Sequence, residues 1–329
     1  MLCSVIVLNW NGIEFLQECL TSLGKQTISD FEIIFVDNGS TDGSVEFVKS
    51  KFGNVKILEL KENLGFCKAN NIGYREAMGR YIAFLNNDTV VHENWLESQI
   101  DFLENDPEYS FCSSKMLFMD NQNIIDNVGT SFSTAGVGRK IGWMQEDIGQ
   151  FEENKEVFGI CGGAALFRRT MLEKIGVFDE DFFIIGEDID LSFRAQIAGY
   201  RGSYIHNAIV YHKVAPKRED DSDFSIYYSN RNLVWTLIKN MPGILLLRHS
   251  LTIITYHTLS IIKLIWRGRG KIVFKAKYDA LKQLRILYKK RRTIQKTRNI
   301  SLKEINRRLD KGAVFARFKD IKTIGIKIP

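Results

Sequence analysis

The chain has few of the residues that cross-link or stiffen small secreted proteins. Only 4 of its 329 residues are proline and only 5 are cysteine. The cysteines follow neither a paired nor a metal-type spacing, and they are Cys3, Cys19, Cys67, Cys112 and Cys161. This scatter argues against a disulfide framework and against a zinc site. It favours a reducing compartment such as the cytosol.

The sequence also lacks a basic and apolar leader. Residues 4–8, SVIVL, have instead the pattern of a first β-strand, so we do not expect secretion. The first turn, Asn9-Trp10-Asn11-Gly12, lacks the glycine-rich fingerprint of dinucleotide-binding folds. That absence argues against a dehydrogenase, although a nucleotide can still bind at the strand ends of an α/β sheet.

Charge is distributed unevenly along the chain. The formal net charge is +6, but between Arg267 and Arg298 thirteen Lys or Arg residues stand against a single acid, Asp279. The remainder is therefore net negative by about six charges. We predict two parts of different character, residues 1–240 and residues 241–329.

The first hundred residues alternate apolar runs with amphipathic segments. The predicted strands cover residues 4–8, 31–36, 55–60 and 81–85, with helices between them. Strands that alternate with helices predict an α/β fold with a mostly parallel, doubly wound sheet. Residues 110–160 look irregular and rich in glycine, and residues 161–167 resemble a strand or a turn.

Polar clusters follow three of the predicted strands. The strand Tyr81–Leu85 runs into Asn86-Asn87-Asp88, whose oxygens suit Mg²⁺ or Mn²⁺ holding a diphosphate. A polar turn that closes the strand is the alternative. Asp37, after the second strand, is suited to accept a hydrogen bond from a pyrimidine N3–H, and the helix that follows offers an anion site. Helix capping is the simpler explanation of that turn.

Two further segments offer candidate site residues. Asn63, Lys68 and Asn70 follow the third strand and could reach a base, ribose or phosphate, or could serve only as turn and surface residues. The acidic segment that contains Glu187 and Asp188 opens a predicted helix. It suits a general base, or simply complements the helix dipole.

His212 stands after an apolar run, 208–211. It is a candidate metal ligand together with Asp88, although a lone histidine is more often structural.

Taken together, these residues resemble family-2 glycosyltransferases, and most of all the rhamnosyltransferase branch. The resemblance rests on seven segments in the same order and spacing, over roughly residues 2–235: VLNWNG, FEIIFVDNGSTDGS, KENLGFCKANNIG, YIAFLNNDTVV, GGAALFRR, GVFDEDFFIIGEDIDLSFRAQIAGY and AIVYHK. It implies a GT-A fold and inverting transfer of a sugar from a nucleotide-sugar.

The resemblance also implies roles for individual residues. Asp37 would bind the base, Asp88 would hold the metal on the diphosphate, and His212 matches a histidine that some members use as a metal ligand. Asp188 would be the catalytic base, with Glu187 as its nearest competitor. The remaining candidates for the nucleotide pocket are Asn9, Asn38, Asn63, Lys68, Asn70, Asn87 and Arg231.

Two departures from the family pattern matter. The usual Asp-x-Asp is Asn86-Asn87-Asp88 here, which makes metal dependence less certain. The Gln-x-x-Arg-Trp motif of processive members is absent, and Arg231 stands near its expected place, where it is suited to contact the diphosphate or to make surface ion pairs. We therefore expect addition of a single sugar.

The segment Ile244–Trp266 is rich in Leu, Ile and aromatic residues but carries Arg248 and Lys263. A charge at the centre of a bilayer costs about 2.5–3.5 kcal/mol, so the segment is better suited to lie in a membrane interface than to span it. The basic residues after it favour anionic lipid. We expect a peripheral protein on the cytoplasmic face of the cell membrane.

The expected donor is dTDP-rhamnose or another dTDP- or UDP-sugar, used with Mg²⁺ or Mn²⁺. The expected acceptor is a lipid-linked or cell-surface glycan. Two alternatives stay open: a transferase of another hexose from a UDP-sugar, and a catalytically silent GT-A domain that acts as a membrane-associated scaffold. No nucleic-acid recognition motif accompanies the basic segment, so no nucleic-acid partner is expected.

Overall fold

The computed structural model describes residues 1–213 and 222–312. Within these residues the chain forms two compact units. The first unit comprises residues 1–130 and 140–213, and the second comprises residues 131–139 and 222–312. A short stretch inside the first unit's sequence therefore belongs to the second unit.

The first unit is built on one large sheet flanked by helices. Its elements begin with β1 (Cys3–Asn9), α1 (Ile13–Leu23), β2 (Phe31–Asp37), α2 (Ser44–Lys51), β3 (Lys56–Glu59), α3 (Gly65–Glu76), β4 (Tyr81–Asn86), β5 (Thr89–Val91) and α4 (Trp95–Asn105). They continue with β6 (Tyr109–Phe118) and β7 (Asn121–Asn127). Next in the chain come β8 (Thr130–Phe132) and β9 (Gly138–Lys140), which form a two-stranded sheet of their own and lie mostly in the stretch 131–139 of the second unit. The first unit then resumes with β10 (Lys155–Val157), β11 (Ala164–Arg168), α5 (Arg169–Ile175), a 3₁₀ turn (Glu180–Phe182), α6 (Glu187–Ile197) and β12 (Arg201–His212).

The sheet has the order β10-β12-β6-β11-β4-β1-β2-β3, with β5 paired to β12 and β7 paired to β6. The strands β3, β2, β1 and β4 run parallel, and β6 runs parallel to β12. Between them β11 runs antiparallel to both β4 and β6. The predicted α/β, GT-A-type fold is confirmed, and the antiparallel β11 is the detail that the sequence pattern did not show.

The core explains why these segments become strands. Val5 and Val7 in β1, and Ala83 and Leu85 in β4, are almost completely buried. Strands covered on both faces have continuous apolar runs instead of alternating ones. The helices add one-sided faces, such as Leu16, Cys19, Leu20 and Leu23 of α1.

The expectation of an irregular region at 110–160 is wrong, because this region contains five strands, β6 to β10. The long strand β6 carries Ser113, Ser114 and Lys115 in buried positions. The Lys115 ammonium pairs with Asp147 at 2.7 Å and with Glu152 at 2.6 Å. These polar residues interrupt the apolar run and concealed the strand pattern.

The second unit is helical. Its helices are α7 (Asp223–Asn240), α8 (Gly243–Arg248), α9 (Ser250–Trp266), α10 (Gly270–Lys282), α11 (Leu284–Lys296) and α12 (Leu302–Arg308). The Trp235 indole of α7 donates to the carbonyl of Ala280 in α10 at 3.3 Å. Whereas the sequence predicts a boundary at 240/241, α7 thus packs with the helices that follow it.

The predicted amphipathic segment 244–266 forms most of α8 and all of α9, which meet at His249. Across residues 1–213 and 222–312, no helix combines the length and the apolar character that crossing a membrane requires.

Candidate functional site

The carboxyl ends of β1, β2 and β4 meet in one polar network. The Asn9 amide donates to Asp37 Oδ1 at 3.0 Å and to Ser40 Oγ at 3.1 Å. The Asn87 amide donates to Asn9 Oδ1 at 2.6 Å. The backbone N–H of Ser40 donates to Asp37 Oδ2 at 2.9 Å. The strand register places these residues side by side, since Asn9 is the partner of Asp37.

A second pair of amides orders the loop before α3. Asn38 Nδ2 donates to Asn63 Oδ1 at 2.9 Å, and Asn38 Oδ1 accepts from the N–H of Leu64 at 2.9 Å. Asn63 Oδ1 also accepts from the N–H of Gly65 at 2.9 Å. Lys68 stands exposed in the first turn of α3. The helix start and this lysine give the loop a positive end.

Asp88 and His212 face each other at the same edge of the sheet. Asp88 Oδ1 and His212 Nε2 lie 3.3 Å apart, and both side chains are mostly buried. Apart from this contact with each other, neither atom has a hydrogen-bond partner among the described residues. Buried polar atoms without a partner are uncommon and call for an explanation, such as the binding of an ion between them.

His212 is held in place by a residue from another strand. His212 Nδ1 and Asp126 Oδ2 lie 2.9 Å apart, and the Lys140 ammonium donates to Asp126 Oδ1 at 2.7 Å. Burial alone would lower the pKa of His212, but the hydrogen bond with Asp126 and the contact with Asp88 outweigh it and raise the pKa to about 9. A carboxylate on the far ring nitrogen is the usual support of a histidine metal ligand.

This arrangement fits a divalent ion. Adjacent ligands on one Mg²⁺ or Mn²⁺, each about 2.1 Å from it, lie roughly 3 Å from each other. The facing atoms of Asp88 and His212 have a comparable separation, 3.3 Å, and no competing partner in the described chain. No group of three His, Cys, Asp or Glu side chains suited to a metal occurs in residues 1–213 and 222–312.

Glu187 and Asp188 form the first turn of α6, beside the turn that precedes β11. Asp188 Oδ1 accepts from the N–H of Ile189 at 2.7 Å, and Oδ2 accepts from the N–H of Gly162 at 3.3 Å. The carbonyl of Gly163, the next residue, accepts from the N–H of Asn86 at 2.9 Å. The carboxylate pair is therefore linked through this turn to the Asn86-Asn87-Asp88 cluster.

The two carboxyl groups have different surroundings. Glu187 is 6% exposed, and its Oε2 has no hydrogen-bond partner among the described residues. Burial, followed by the charge of Asp188, raises the pKa of Glu187. Burial also raises the pKa of Asp188, but the N–H groups of Ile189 and Gly162 and the charge of Lys140 oppose that shift. Asp188 is the more accessible of the two.

The segment before α6 has an unusual backbone. Phe183 and Ile185 have positive φ angles of 66° and 68°, and Gly186 has φ 86°. A β-branched residue at positive φ is a genuine outlier, and such strain concentrates at functional sites. The ring of Phe183 lies against Gly65, where an added Cβ would meet it at 2.4 Å. The strained segment thus contacts the start of α3 directly.

The structure brings most of the predicted site residues to one edge of the first unit. Those connected by the contacts above are Asn9, Asp37, Asn38, Asn63, Asn87, Asp88, Glu187, Asp188 and His212. Asn70 differs, because it is 1% exposed and donates to the Phe66 carbonyl of its own helix at 3.0 Å.

Arg231 belongs to α7 of the second unit. Its guanidinium packs over the rings of Tyr228 and Trp235, at 4.7 Å and 4.2 Å from their centroids.

Two site residues were missed by the sequence reasoning, Asp126 and Lys140. Asp126 follows Ile124-Ile125 and precedes Asn127, so it repeats the pattern of an apolar run ending in Asp-Asn that singled out Asp37. The same pattern therefore marks Asp126 as a candidate site residue. Lys140 has no comparable signal, because its role depends on a contact with Asp126 across the fold.

Comparison with known proteins identifies the family. The family model described as "Glycosyl transferase family 2" matches residues 4–176, which is more than half of the chain. The chain belongs to glycosyl transferase family 2.

Two curated relatives illustrate the range of similarity. Glycosyltransferase AglE of Haloferax volcanii is 28% identical over 218 residues, which is 65% of this chain and 67% of the relative. Chondroitin synthase of Escherichia coli is 26% identical over 249 residues, but these cover 36% of that longer protein. This family-2 chain thus spans about two thirds of the first relative and about a third of the second.

Solved structures agree on the fold. A crystal structure of GalNAc-T7 with UDP, GalNAc and Mn²⁺ superposes with a TM-score of 0.60 at 18% identity, over 73% of this chain and 48% of that one. Residues 1–349 of S. aureus TarS in complex with UDP superpose with a TM-score of 0.55 at 18% identity, over 90% and 91% of the two chains. At these identities the likeness supports the GT-A fold alone.

Proposed function

We propose that the protein transfers one hexose from a nucleoside-diphosphate sugar to a glycan hydroxyl, with inversion at the anomeric carbon. Our first candidate for the donor is dTDP-rhamnose. The observation that carries the proposal is the gathering of three groups at one sheet edge: the Asp37 network, the facing Asp88 and His212, and the Glu187-Asp188 pair. These match a base pocket, a diphosphate site and a proton acceptor.

In the proposed reaction, Asp188 accepts the proton of the acceptor hydroxyl. The hydroxyl oxygen attacks the anomeric carbon from the face opposite the nucleotide, and the bond to the departing diphosphate breaks. Asp188 suits the acceptor role because it is more accessible than Glu187 and carries a raised pKa. A base works best when its pKa approaches the working pH.

Asp88 and His212 would hold Mg²⁺ or Mn²⁺, and Asp126 would orient His212. Oxygens of the diphosphate would complete the ligand set. When bound, such an ion supplies positive charge to the departing diphosphate. Lys68, exposed at the start of α3, would add a further positive charge at the nucleotide.

The donor is best identified with the full-length protein and a panel of dTDP-, UDP- and GDP-sugars. We expect one donor to be hydrolysed slowly in the presence of Mg²⁺ or Mn²⁺ and to raise the melting temperature, because a ligand that binds only the folded state stabilises it. The anomeric configuration of the released sugar, followed by NMR from the first minutes, reports inversion.

The outcomes discriminate between the candidates. If dTDP-rhamnose is the sugar donor turned over, it is supported as the donor. If a UDP-hexose is turned over instead, that UDP-hexose becomes the proposed donor. Retention of configuration would overturn the inverting mechanism. Binding and hydrolysis of none of the nucleotide-sugars would favour a catalytically silent domain.

A further inference from the structure

Helix α9 of the second unit has its apolar side outward. None of its 17 residues is buried. Six of its large apolar side chains are exposed, with exposed fractions from 40% for Ile262 to 87% for Trp266. The six are Leu251, Ile254, Leu259, Ile262, Ile265 and Trp266. A surface helix normally has the opposite arrangement, with the apolar stripe against the core.

The exposed residues form one continuous face, which we call the α9 face. With 100° between successive residues, these six side chains, together with Thr255 and Thr258, occupy an arc of about 140°. The arc contains no charged residue. Lys263 is the one other exposed residue of the helix, and it lies at the border of this arc. The opposite side, towards α10, contains the apolar Ile253 and Leu264 together with Tyr256, His257 and Ser260.

Basic residues are frequent in the segments that flank α9 in sequence. Arg248 precedes the helix, and Arg267 and Arg269 follow it. The next two helices carry further exposed basic residues, which are Lys271, Lys275, Lys282, Arg285, Lys289, Arg292 and Lys296. Exposed apolar residues stand between them, among them Phe274 and Tyr278, at 58% and 61%.

We infer that the α9 face inserts into the surface of a lipid bilayer rich in anionic headgroups, with the basic residues of α10 and α11 against the phosphates. Two observations select this partner. An apolar arc bordered by Lys and Arg has the composition of helices that lie in a membrane interface. The charge rules against a second copy of this chain, because two such surfaces would bring like charges together.

The dimensions agree with a helix lying in the interface plane. Seventeen residues of α-helix extend about 26 Å, which is shorter than the roughly 30 Å of a bilayer's hydrocarbon core. The helix also presents polar side chains on its opposite side. If only the α9 face inserts, its apolar side chains lie in the lipid while the polar side chains of the opposite side stay outside the hydrocarbon. A spanning helix would instead bury His257 and Ser260 in hydrocarbon.

The test is cosedimentation of the full-length protein with vesicles of phosphatidylcholine alone or with 30 mol% phosphatidylglycerol, a composition we choose as strongly anionic. The triple variant Leu251→Gln, Leu259→Gln and Ile262→Gln keeps good helix formers but removes three apolar anchors. We expect its partition coefficient on anionic vesicles to fall at least tenfold, on the order expected from the loss of three partly buried side chains. Wild-type binding should weaken but persist at high salt.

The matched control is Ile148→Gln in the first unit, where the isoleucine is 78% exposed. It should bind vesicles like the wild type. Equal binding by the triple variant, or no binding of the wild type to any vesicle, would overturn the inference. Sedimentation velocity without lipid tests whether the α9 face binds a second copy of the chain instead. A wild-type protein that is dimeric, with a triple variant that is monomeric, would assign the face to dimerisation. None of these readouts depends on sugar transfer.

Discussion

Glu187 and Asp188 are neighbours in one helical turn, yet their surroundings differ. Glu187 is buried with an unpartnered oxygen, and Asp188 accepts two backbone N–H groups at a more accessible position. Two acids whose environments separate their proton affinities commonly have separate tasks. Here the accessible one is suited to accept a proton and the buried one to remain neutral.

The first prediction concerns Asp188→Asn. We expect turnover to fall by about two orders of magnitude or more, the usual range for loss of a general base. Donor affinity, measured by calorimetry with the nucleotide-sugar, should change little, because the substitution preserves shape. Near-normal turnover would transfer the role of the base to Glu187.

The second prediction concerns Glu187→Gln and stability. Because the folded pKa of Glu187 is raised, the unfolded chain loses this proton at a lower pH than the folded protein does. The stability of the wild type therefore falls as pH rises from the ordinary glutamate range towards the raised value. The neutral glutamine should remove that loss. Its melting temperature should match the wild type near pH 4 and exceed it increasingly from pH 6 to pH 9.

The control for this pH series is Glu153→Gln, since Glu153 is exposed. Its melting curve should follow the wild type throughout. A Glu187→Gln variant that is destabilised equally at all pH values would show that the carboxyl group is needed for structure instead.

The third prediction concerns the metal. The affinity of the wild type for a nucleoside diphosphate should fall at least tenfold when Mn²⁺ is replaced by a chelator, because the carboxylate of Asp88 and the phosphates share the ion. Asp88→Ala should bind with the same low affinity in both buffers, while Asp120→Ala, at an exposed acid, should behave like the wild type. Equal wild-type affinities in the two buffers would exclude this metal site.

At the scale of elements, the strained segment 183–186 is in direct contact with the start of α3. Gly65 opens α3 with φ 81°, and Cys67 N–H donates to the Phe183 carbonyl at 3.2 Å. A side chain at Gly65 would need both a left-handed backbone and the space that the Phe183 ring occupies.

The fourth prediction is that Gly65→Ala lowers both stability and donor affinity. The left-handed conformation alone costs about 1–2 kcal/mol for an L-residue, and the clash with Phe183 adds to it. The control is Gly53→Ala, because an added Cβ there meets no atom within 4 Å. Thermal melts and donor titrations of the two variants measure the difference. If Gly65→Ala leaves stability and donor affinity unchanged, the segment 183–186 can move to accommodate the added methyl group without cost.

The elements most readily predicted from sequence were those with simple patterns. The apolar runs of β1, β2 and β4, each followed by Asn or Asp, predicted both the strands and the site edge, because parallel strands end at the same side of a sheet. The strand β6 was missed since its buried Ser114 and Lys115 find partners only in the folded chain. No local pattern encodes such partners.

Asp126, the residue that holds His212 in place, was not predicted for a similar reason. Asp126 and His212 are 86 residues apart in sequence, and their contact depends on how β7 and β12 each pair with β6. Sequence spacing suggests which residues are ligands. The residues that orient those ligands can be distant in sequence and meet them only through the pairing of strands.

At the scale of the whole molecule, the position of α7 decides how the chain can be shortened. Trp235 and Leu237 are buried, at 4% and 7% exposure. Arg291 of α11 donates to the Met241 carbonyl at 2.7 Å. The end of α7 is thus covered by helices that lie beyond residue 241.

The fifth prediction follows from this packing. A chain ending at Met241 should aggregate, because removing α10 and α11 exposes the apolar side of α7. A chain ending at Gly312, which keeps the helices α7 to α12, should stay soluble. Soluble fraction and sedimentation velocity compare the two. A monomeric, soluble chain of 241 residues would instead support the boundary predicted from the sequence.

The short stretch 131–139 has a consequence for how the protein is made. The N–H of Thr134 donates to the Asp310 carbonyl, and the N–H of Asp310 donates to the Phe132 carbonyl, both at 2.9 Å. Asp310 leaves the ribosome about 180 residues after Phe132, which at 5–20 residues per second is a delay of roughly 10–35 s. During synthesis, residues 131–139 therefore lack their hydrogen bonds with Asp310 at a time when the sheet around β6 is already able to form. A nascent chain arrested before residue 310 should therefore be cleaved by protease near residues 131–139, and release of the full chain should protect that stretch.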